Sequence, residues 1–340
     1  MKDAYRQVID ALSGCKRVLI TTHVRPDGDA LGSCAAMAMG LRQVGVESEV
    51  LLLSHLPRKY GFIFEENKIT YQDVEKGWPE RYPLARFDAL LVVDTGTWSQ
   101  LPGLKERLEG WVGKKVVIDH HLTQEDWADV KLVVKEAAAS GEVVAELLDE
   151  WEIKVDGGIA TALYVALVSD TGWFQFANTR PYTLRLAATL MESGVETDRI
   201  YQTMYQNESV KRVALATRAQ ESLELQAGGR LAVMTLTRAD FEQTDAGVAD
   251  TENLINIPLQ IGSVEVSIMI VEGREAGPIR INLRSKGQVD VARFAEGFGG
   301  GGHARAAGLK LEMRLEEAKE RVVALPGCWG TGRIMRWVVV

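Results

Sequence analysis

The sequence predicts an α/β protein: a mostly parallel sheet with helices on both faces, followed by a smaller α/β domain. Three observations carry this expectation. Short apolar, β-branched runs alternate with helical patterns through the first half. Those runs are continuously apolar, as strands buried on both faces require. From about Gly229 the pattern changes to closely spaced strand-like runs. A chain of 340 residues that is 46% hydrophobic has enough apolar material for two cores rather than one.

Taken in order, Arg17 to Thr22 (RVLITT) reads as a strand and Ala30 to Val44, rich in Ala, Met and Leu, as a helix. Glu49 to Leu53, Ala89 to Asp94 and Lys115 to Asp119 read as further strands. Helical patterns follow over Gly141 to Trp151 and Gly158 to Ser169. The stretch from Tyr182 to Glu224 is helical in composition, without a strong strand. Leu231 to Leu236, Val264 to Val271 and Pro278 to Leu283 read as strands. A glycine-rich loop, Gly297 to Gly302, and a short helix from about Arg314 follow. The expected division is 1–190, a helical connector at 191–225, a second domain at 226–325, and a tail, Pro326 to Val340, left unassigned because it reads as neither helix nor strand.

Composition narrows the function. The formal net charge is -8. A protein that grips long nucleic acid usually presents a basic stripe, because neutralised phosphates drive that binding. An acidic chain favours a small nucleotide held in a local pocket and through metal ions. Cys15, Cys34 and Cys328 are scattered and form no C-x-x-C pair, which argues against a disulfide framework or a cysteine zinc site. No signal-peptide pattern opens the chain, and no run of about eighteen apolar residues occurs. These features predict a cytoplasmic protein with no membrane partner.

Four segments concentrate acidic and imidazole groups. THVRPDGDALGS carries His23, Asp27 and Asp29 just past the first strand. LLVVDTG ends a strand with Asp94, and KVVIDHH ends another with Asp119, His120 and His121. ALVSDTG places Asp170 at a helix end. In an open parallel sheet, ligands sit outside the carboxyl ends of the strands. The segments should therefore converge on one rim. Five carboxylates and three imidazoles gathered there would repel one another unless cations lay among them. Carboxylate and imidazole donors without thiolate suit Mn, Mg, Fe or Co. The donors are too many for one ion with open positions, which favours two ions sharing a carboxylate and a water. Singly, each group has a bland reading. Asp29 would cap a helix, Gly28 would serve a turn, Asp94-Thr95-Gly96 would be an ordinary turn, and His120-His121 a packed pair. Their joint occurrence, in this order and on these elements, is what disfavours the bland readings.

These segments resemble the motifs of the DHH phosphoesterase superfamily, which includes RecJ-like exonucleases, family II inorganic pyrophosphatases and the small oligoribonucleases called nanoRNases. The resemblance spans roughly residues 1–325. It implies that His23, Asp27 and Asp94 hold one metal, and that Asp29, Asp94, His120 and Asp170 hold the other, with Asp94 bridging. It implies that Asp119 orients nearby histidines and that His121 faces the substrate phosphate. Asp94, Asp119 and His121 are the expected catalytic residues.

In the second domain, RINLRSK supplies Arg284 and Ser285, and GFGGGGHARAAG supplies Gly300, Gly301, Gly302 and His303. Consecutive glycines let backbone N–H groups approach a phosphate closely, and Arg284 offers a fork of donors. The bland reading is a flexible turn with a structural His303. The pair resembles the DHH-associated C-terminal domain of nanoRNases and dinucleotide phosphodiesterases. The resemblance then implies a two-metal exoribonuclease, with Mn2+ foremost and Mg2+ or Co2+ as alternatives. It would cut short single-stranded RNA to 5′-mononucleotides and remove the 3′-phosphate of phosphoadenosine phosphate. The alternatives are a phosphodiesterase for cyclic or linear dinucleotides, and a nucleotide-binding regulator with a dead metal site. Dimers occur in the family, so a homodimer is the expected assembly.

Overall fold

The computed structural model describes residues 2–75, 77–78, 82–286 and 289–323. The predicted tail, Pro326 to Val340, lies outside the described residues, as do the last two positions of the predicted 226–325 domain. The chain divides into two compact units, Met1–Asn207 and Glu208–Val340.

The first unit runs α1 (Lys2–Leu12), β1 (Arg17–Thr21), α2 (Gly28–Gln43), β2 (Glu47–Leu52), α3 (Gly61–Glu66), β3 (Tyr71–Asp73), β4 (Ala89–Val93), α4 (Leu104–Arg107), β5 (Lys114–Asp119), β6 (Val130–Val133), α5 (Ser140–Glu150), α6 (Gly157–Asp170), α7 (Pro181–Glu192) and α8 (Thr197–Tyr205). Its six strands lie in the order β3-β2-β1-β4-β5-β6, and every pair is parallel. Side chains alternate between two cores, one on each face. Val18 and Ile20 of β1 join Leu91 and Val93 of β4 on one face, while Leu19, Leu90 and Val92 face the other. This two-sided burial is why the strands read as unbroken apolar runs. The strand order reverses direction between β1 and β4, the switch point where α/β sheets bind ligands.

Helix α2 is buried almost all round. Its cap is Asp27, not Asp29: Asp27 Oδ1 accepts the backbone N–H groups of Asp29 and Ala30 at 3.0 and 3.1 Å. Asp29 is therefore released from capping and sits inside the first turn. Glycine lets the neighbouring helices approach. A Cβ on Gly32 would lie 2.3 Å from the Ala162 carbonyl oxygen of α6, and one on Gly141 of α5 would lie 2.5 Å from the Ala166 methyl.

The second unit runs α9 (Val210–Glu221), β7 (Glu224–Gln226), β8 (Leu231–Leu236), α10 (Arg238–Thr244), β9 (Val266–Val271), β10 (Ile279–Ser285), α11 (Val291–Glu296), β11 (Gly301–His303), β12 (Ala306–Leu311) and α12 (Leu315–Val323). Its mixed sheet has the order β11-β12-β10-β9-β8-β7. Part of the predicted glycine-rich loop is the edge strand β11. Propensity hides such a strand, because glycine carries no strand preference. The close approach to β12 explains two glycines of this segment, Gly300 just before β11 and Gly302 within it. A Cβ on Gly300 would meet the Gly308 carbonyl oxygen at 2.4 Å, and one on Gly302 would meet that of Ala306 at 2.4 Å.

Candidate metal centre

The site is built where β1, β4 and β5 end. Asp94 follows β4 with φ 65, in the left-handed region that few residues other than glycine adopt. That turn leaves its two carboxylate oxygens on opposite sides. Oδ2 lies 3.4 Å from His23 Nε2, and Oδ1 lies 3.5 Å from His120 Nε2. Ser140 Oγ donates to Oδ1 at 2.8 Å and fixes the rotamer. His23 Nε2 also stands 4.0 Å from Asp27 Oδ1. His120 Nε2 stands 3.8 Å from Asp29 Oδ2 and 3.5 Å from Asp170 Oδ2. Two donor groups result, His23-Asp27-Asp94 and Asp29-His120-Asp170, with Asp94 touching both. His121 adds a third overlapping group with Asp94 and His120.

Each imidazole is oriented from behind. His23 Nδ1 donates to the Val24 carbonyl at 3.0 Å, and His120 Nδ1 to the Ala137 carbonyl at 3.1 Å. These bonds assign the tautomers and leave the Nε2 lone pairs facing the carboxylates. His120 Nε2 is buried and, among the described residues, has no hydrogen-bond partner. Separations of 3.4 to 4.0 Å are too long for hydrogen bonds, so the groups face common gaps rather than one another. Lone pairs and carboxylate oxygens converging this way repel without a cation between them. The donor set therefore fits divalent metal ions.

Electrostatics agree. Asp29 is fully buried, and that burial, with Asp94, Asp170 and Asp27 nearby, pushes its carboxyl well above the usual range. The N-terminus of α5 partly offsets the charge: Ser140 and Gly141 backbone N–H groups donate to Asp29 at 2.6 and 2.9 Å. Asp170 is raised to about 6, by burial first and, against the pull of His120, by Asp94 and Asp27. His23 is raised because contact with Asp94 and the charge of Asp27 outweigh its burial.

Asp119 lies behind the cluster, fully buried. Its Oδ1 accepts from the backbone N–H groups of His120 and His121 at 2.8 and 3.2 Å, and from His121 Nδ1 at 2.8 Å. Burial works against the Asp119 anion, but these donors and Gln124 hold its carboxyl below the ordinary value. The same Asp119 contact lifts His121 to about 9. The sequence reading missed Gln124, whose Nε2 donates to Asp119 Oδ2 at 2.5 Å and to the His121 carbonyl at 3.1 Å. It also missed Ser140 and Asn178. Asn178 Nδ2 donates to the Ala138 and Asp170 carbonyls at 2.9 and 3.0 Å, tying the loop behind His120 to the end of α6. A lone glutamine, serine or asparagine outside a motif carries no sequence signal for such roles.

In the second unit, sheet register aligns the predicted substrate residues. Arg284 pairs with Ala306, which pairs with His303, and Leu283, Ala307 and Gly302 form the next row. Ser285 is buried, and its hydroxyl donates to the Val289 carbonyl at 2.7 Å. Gly301 differs from its neighbours: a Cβ there would meet nothing within 4 Å. Packing therefore explains Gly300 and Gly302 but not Gly301.

Comparison with known proteins agrees with this architecture. Residues 17–167 match the DHH family, N-terminal domain, and residues 228–325 match the DHHA1 domain. A bifunctional oligoribonuclease and PAP phosphatase of Thermus thermophilus is 32% identical, over 93% of this chain and 90% of its own length. The protein of the same description from Bacillus subtilis is 24% identical, over 90% and 92%. The crystal structure of an exopolyphosphatase-related protein from Bacteroides fragilis superposes with a TM-score of 0.81 at 24% identity, covering 96% of each chain, and shares the fold. This chain belongs to the DHH family of metal-dependent phosphoesterases, with a DHH domain followed by a DHHA1 domain.

Proposed function

We propose that the chain hydrolyses short oligoribonucleotides to 5′-mononucleotides and removes the 3′-phosphate of phosphoadenosine phosphate, using two divalent cations, Mn2+ foremost. The observation that carries this reading is the doubled donor cluster, in which Asp94 turns one oxygen to His23 and the other to His120. The substrate class is supported by the described activity of the Thermus thermophilus relative, matched along 90% of its length. The net charge of -8 and no extended basic run favour short over long nucleic acid.

His23, Asp27 and Asp94 would hold one ion, and Asp29, Asp94, His120 and Asp170 the other. Bound there, such ions supply Lewis acidity, an activated water and neutralisation of charge on the phosphoryl group. The chain's own groups do the rest. Ser140 and the α5 N-terminus fix Asp94 and Asp29 against rotation. Asp119 holds His121 by Nδ1, which leaves Nε2 to face the substrate and pass a proton to the leaving oxygen. The reading assigns catalysis to residues 1–190 and substrate grip to 226–325, joined by 191–225. In the latter, Arg284, Ser285, His303 and the backbone N–H groups of Gly300, Gly301 and Gly302 would take the nucleotide. A cytoplasmic homodimer belongs to the same proposal.

Incubation of purified protein with Mn2+ and a labelled RNA dimer tests it. Mononucleotide is the expected product. No mononucleotide, alongside good turnover of cyclic di-adenylate or its linear form, would replace this reading with a dinucleotide-signal phosphodiesterase.

A further inference from the structure

We propose that Arg25 is a phosphate-gripping side chain of this site, its guanidinium binding the anionic oxygens of the nucleotide's phosphate beside His23 and Asp27. This rests on the phosphoesterase reading and adds a residue that neither the motif comparison nor the donor cluster assigns.

Position comes first. Arg25 lies two residues from His23 and two from Asp27. Two residues of chain span at most about 7 Å, so its Cα is no farther than that from either. Conformation comes next. Arg25 has φ 56, a left-handed setting that a side chain disfavours, and the next residue is Pro26, whose ring restricts its predecessor further. The setting is locked, because the Arg25 backbone N–H donates to Ser54 Oγ at 2.7 Å. Glycine or asparagine would take this turn with less strain.

Among the described residues, nothing compensates the arginine for that strain. Its side chain is exposed and, among the described residues, makes no hydrogen bond, ion pair or ring contact. An arginine beside acidic groups ordinarily takes a carboxylate as partner. Among the described residues this one forms no ion pair with Asp27, whose Oδ1 instead accepts the backbone N–H groups of Asp29 and Ala30 at 3.0 and 3.1 Å. Strained, unpartnered residues held by their surroundings cluster where a ligand uses the side chain. A planar fork of N–H donors suits phosphate oxygens two at a time. A fixed cation at this rim also offsets the repulsion a phosphate meets on approaching Asp27 and Asp94.

The test uses Arg25→Ala, Arg25→Gly and Arg25→Lys in the full chain. Adenosine 5′-monophosphate is the probe, its affinity for Mn2+-loaded protein measured by calorimetry. Thermal melts of the metal-free proteins are run in parallel. The alanine and glycine variants should bind the probe at least about tenfold more weakly, with lysine between them and wild type. The glycine variant should melt above the alanine variant, because glycine relieves the left-handed setting. Unchanged affinity in the alanine variant overturns the phosphate role. A glycine variant melting no higher than alanine overturns the strain argument. RNA-dimer hydrolysis by wild type is read separately: wild type that binds the probe without cutting RNA removes the substrate reading and leaves the Arg25 role standing.

Discussion

A Cβ on Gly28 would lie 1.9 Å from Ser169 Oγ, so only glycine lets the first turn of α2 meet the last turn of α6. The contact has a functional consequence. Asp29 and Asp170 are the next residues along the two helices, and both face His120 Nε2. Gly28→Ala should force the helix ends apart and destabilise the protein by about 1–3 kcal/mol, the usual range for overpacking. Divalent-metal affinity should fall with it. Thermal melts with and without Mn2+, plus calorimetric titration, check both effects.

Gln124 acts through Asp119. Its amide donates to the oxygen of Asp119 that His121 does not use. Gln124→Met keeps the length of the side chain and removes the donor. The expected result is a kcat lower by about 10–100-fold, the range seen when the partners of site residues are lost, with KM and melting temperature near wild type. Steady-state kinetics on an RNA dimer measure the split.

Asp94 shape and charge separate in Asp94→Asn. The amide preserves volume and the Ser140 contact, but removes the charge shared by the two donor groups. Turnover should be lost and the protein should stay folded, as circular dichroism would report. Metal content by elemental analysis should drop below the wild-type value.

Protons and metal ions compete for the same oxygens. Burial and neighbouring carboxylates raise Asp170 from 3.8 to about 6 and Asp29 well above its ordinary value. A carboxyl raised on folding binds its proton more tightly when folded, so metal-free stability falls as pH rises between 3.8 and about 6. Bound cations reverse that loss by favouring the ionised forms. The rise in melting temperature on adding Mn2+ should therefore be larger at pH 8 than at pH 5, and scans at the two values decide it.

Much of this was legible in the sequence, for identifiable reasons. The core strands β1, β4 and β5 are buried on both faces, so their apolar runs stand out, and the charged residues at their ends mark the rim. Strands β3 and β6 were not predicted: Tyr71–Asp73 and Val130–Val133 are short and half-exposed edge pieces with mixed polarity. Helix α1 carries Tyr5, Val8, Ile9 and Leu12 at helical spacing, a signal present in the sequence but not predicted above. The candidate ligands were legible because each sits in a segment rich in chemistry. Gln124, Ser140 and Asn178 were not, because their importance comes from contacts made only after folding. The role of Asp27 as helix cap was obscured by Asp29, an equally good capping residue two positions on.

Anomalous diffraction from crystals grown with Mn2+ tests the doubled cluster most directly. The account predicts two anomalous peaks per chain, one bounded by His23, Asp27 and Asp94, and the other by Asp29, His120, Asp170 and the second oxygen of Asp94. A single peak, or ions bound away from Asp94, would contradict it.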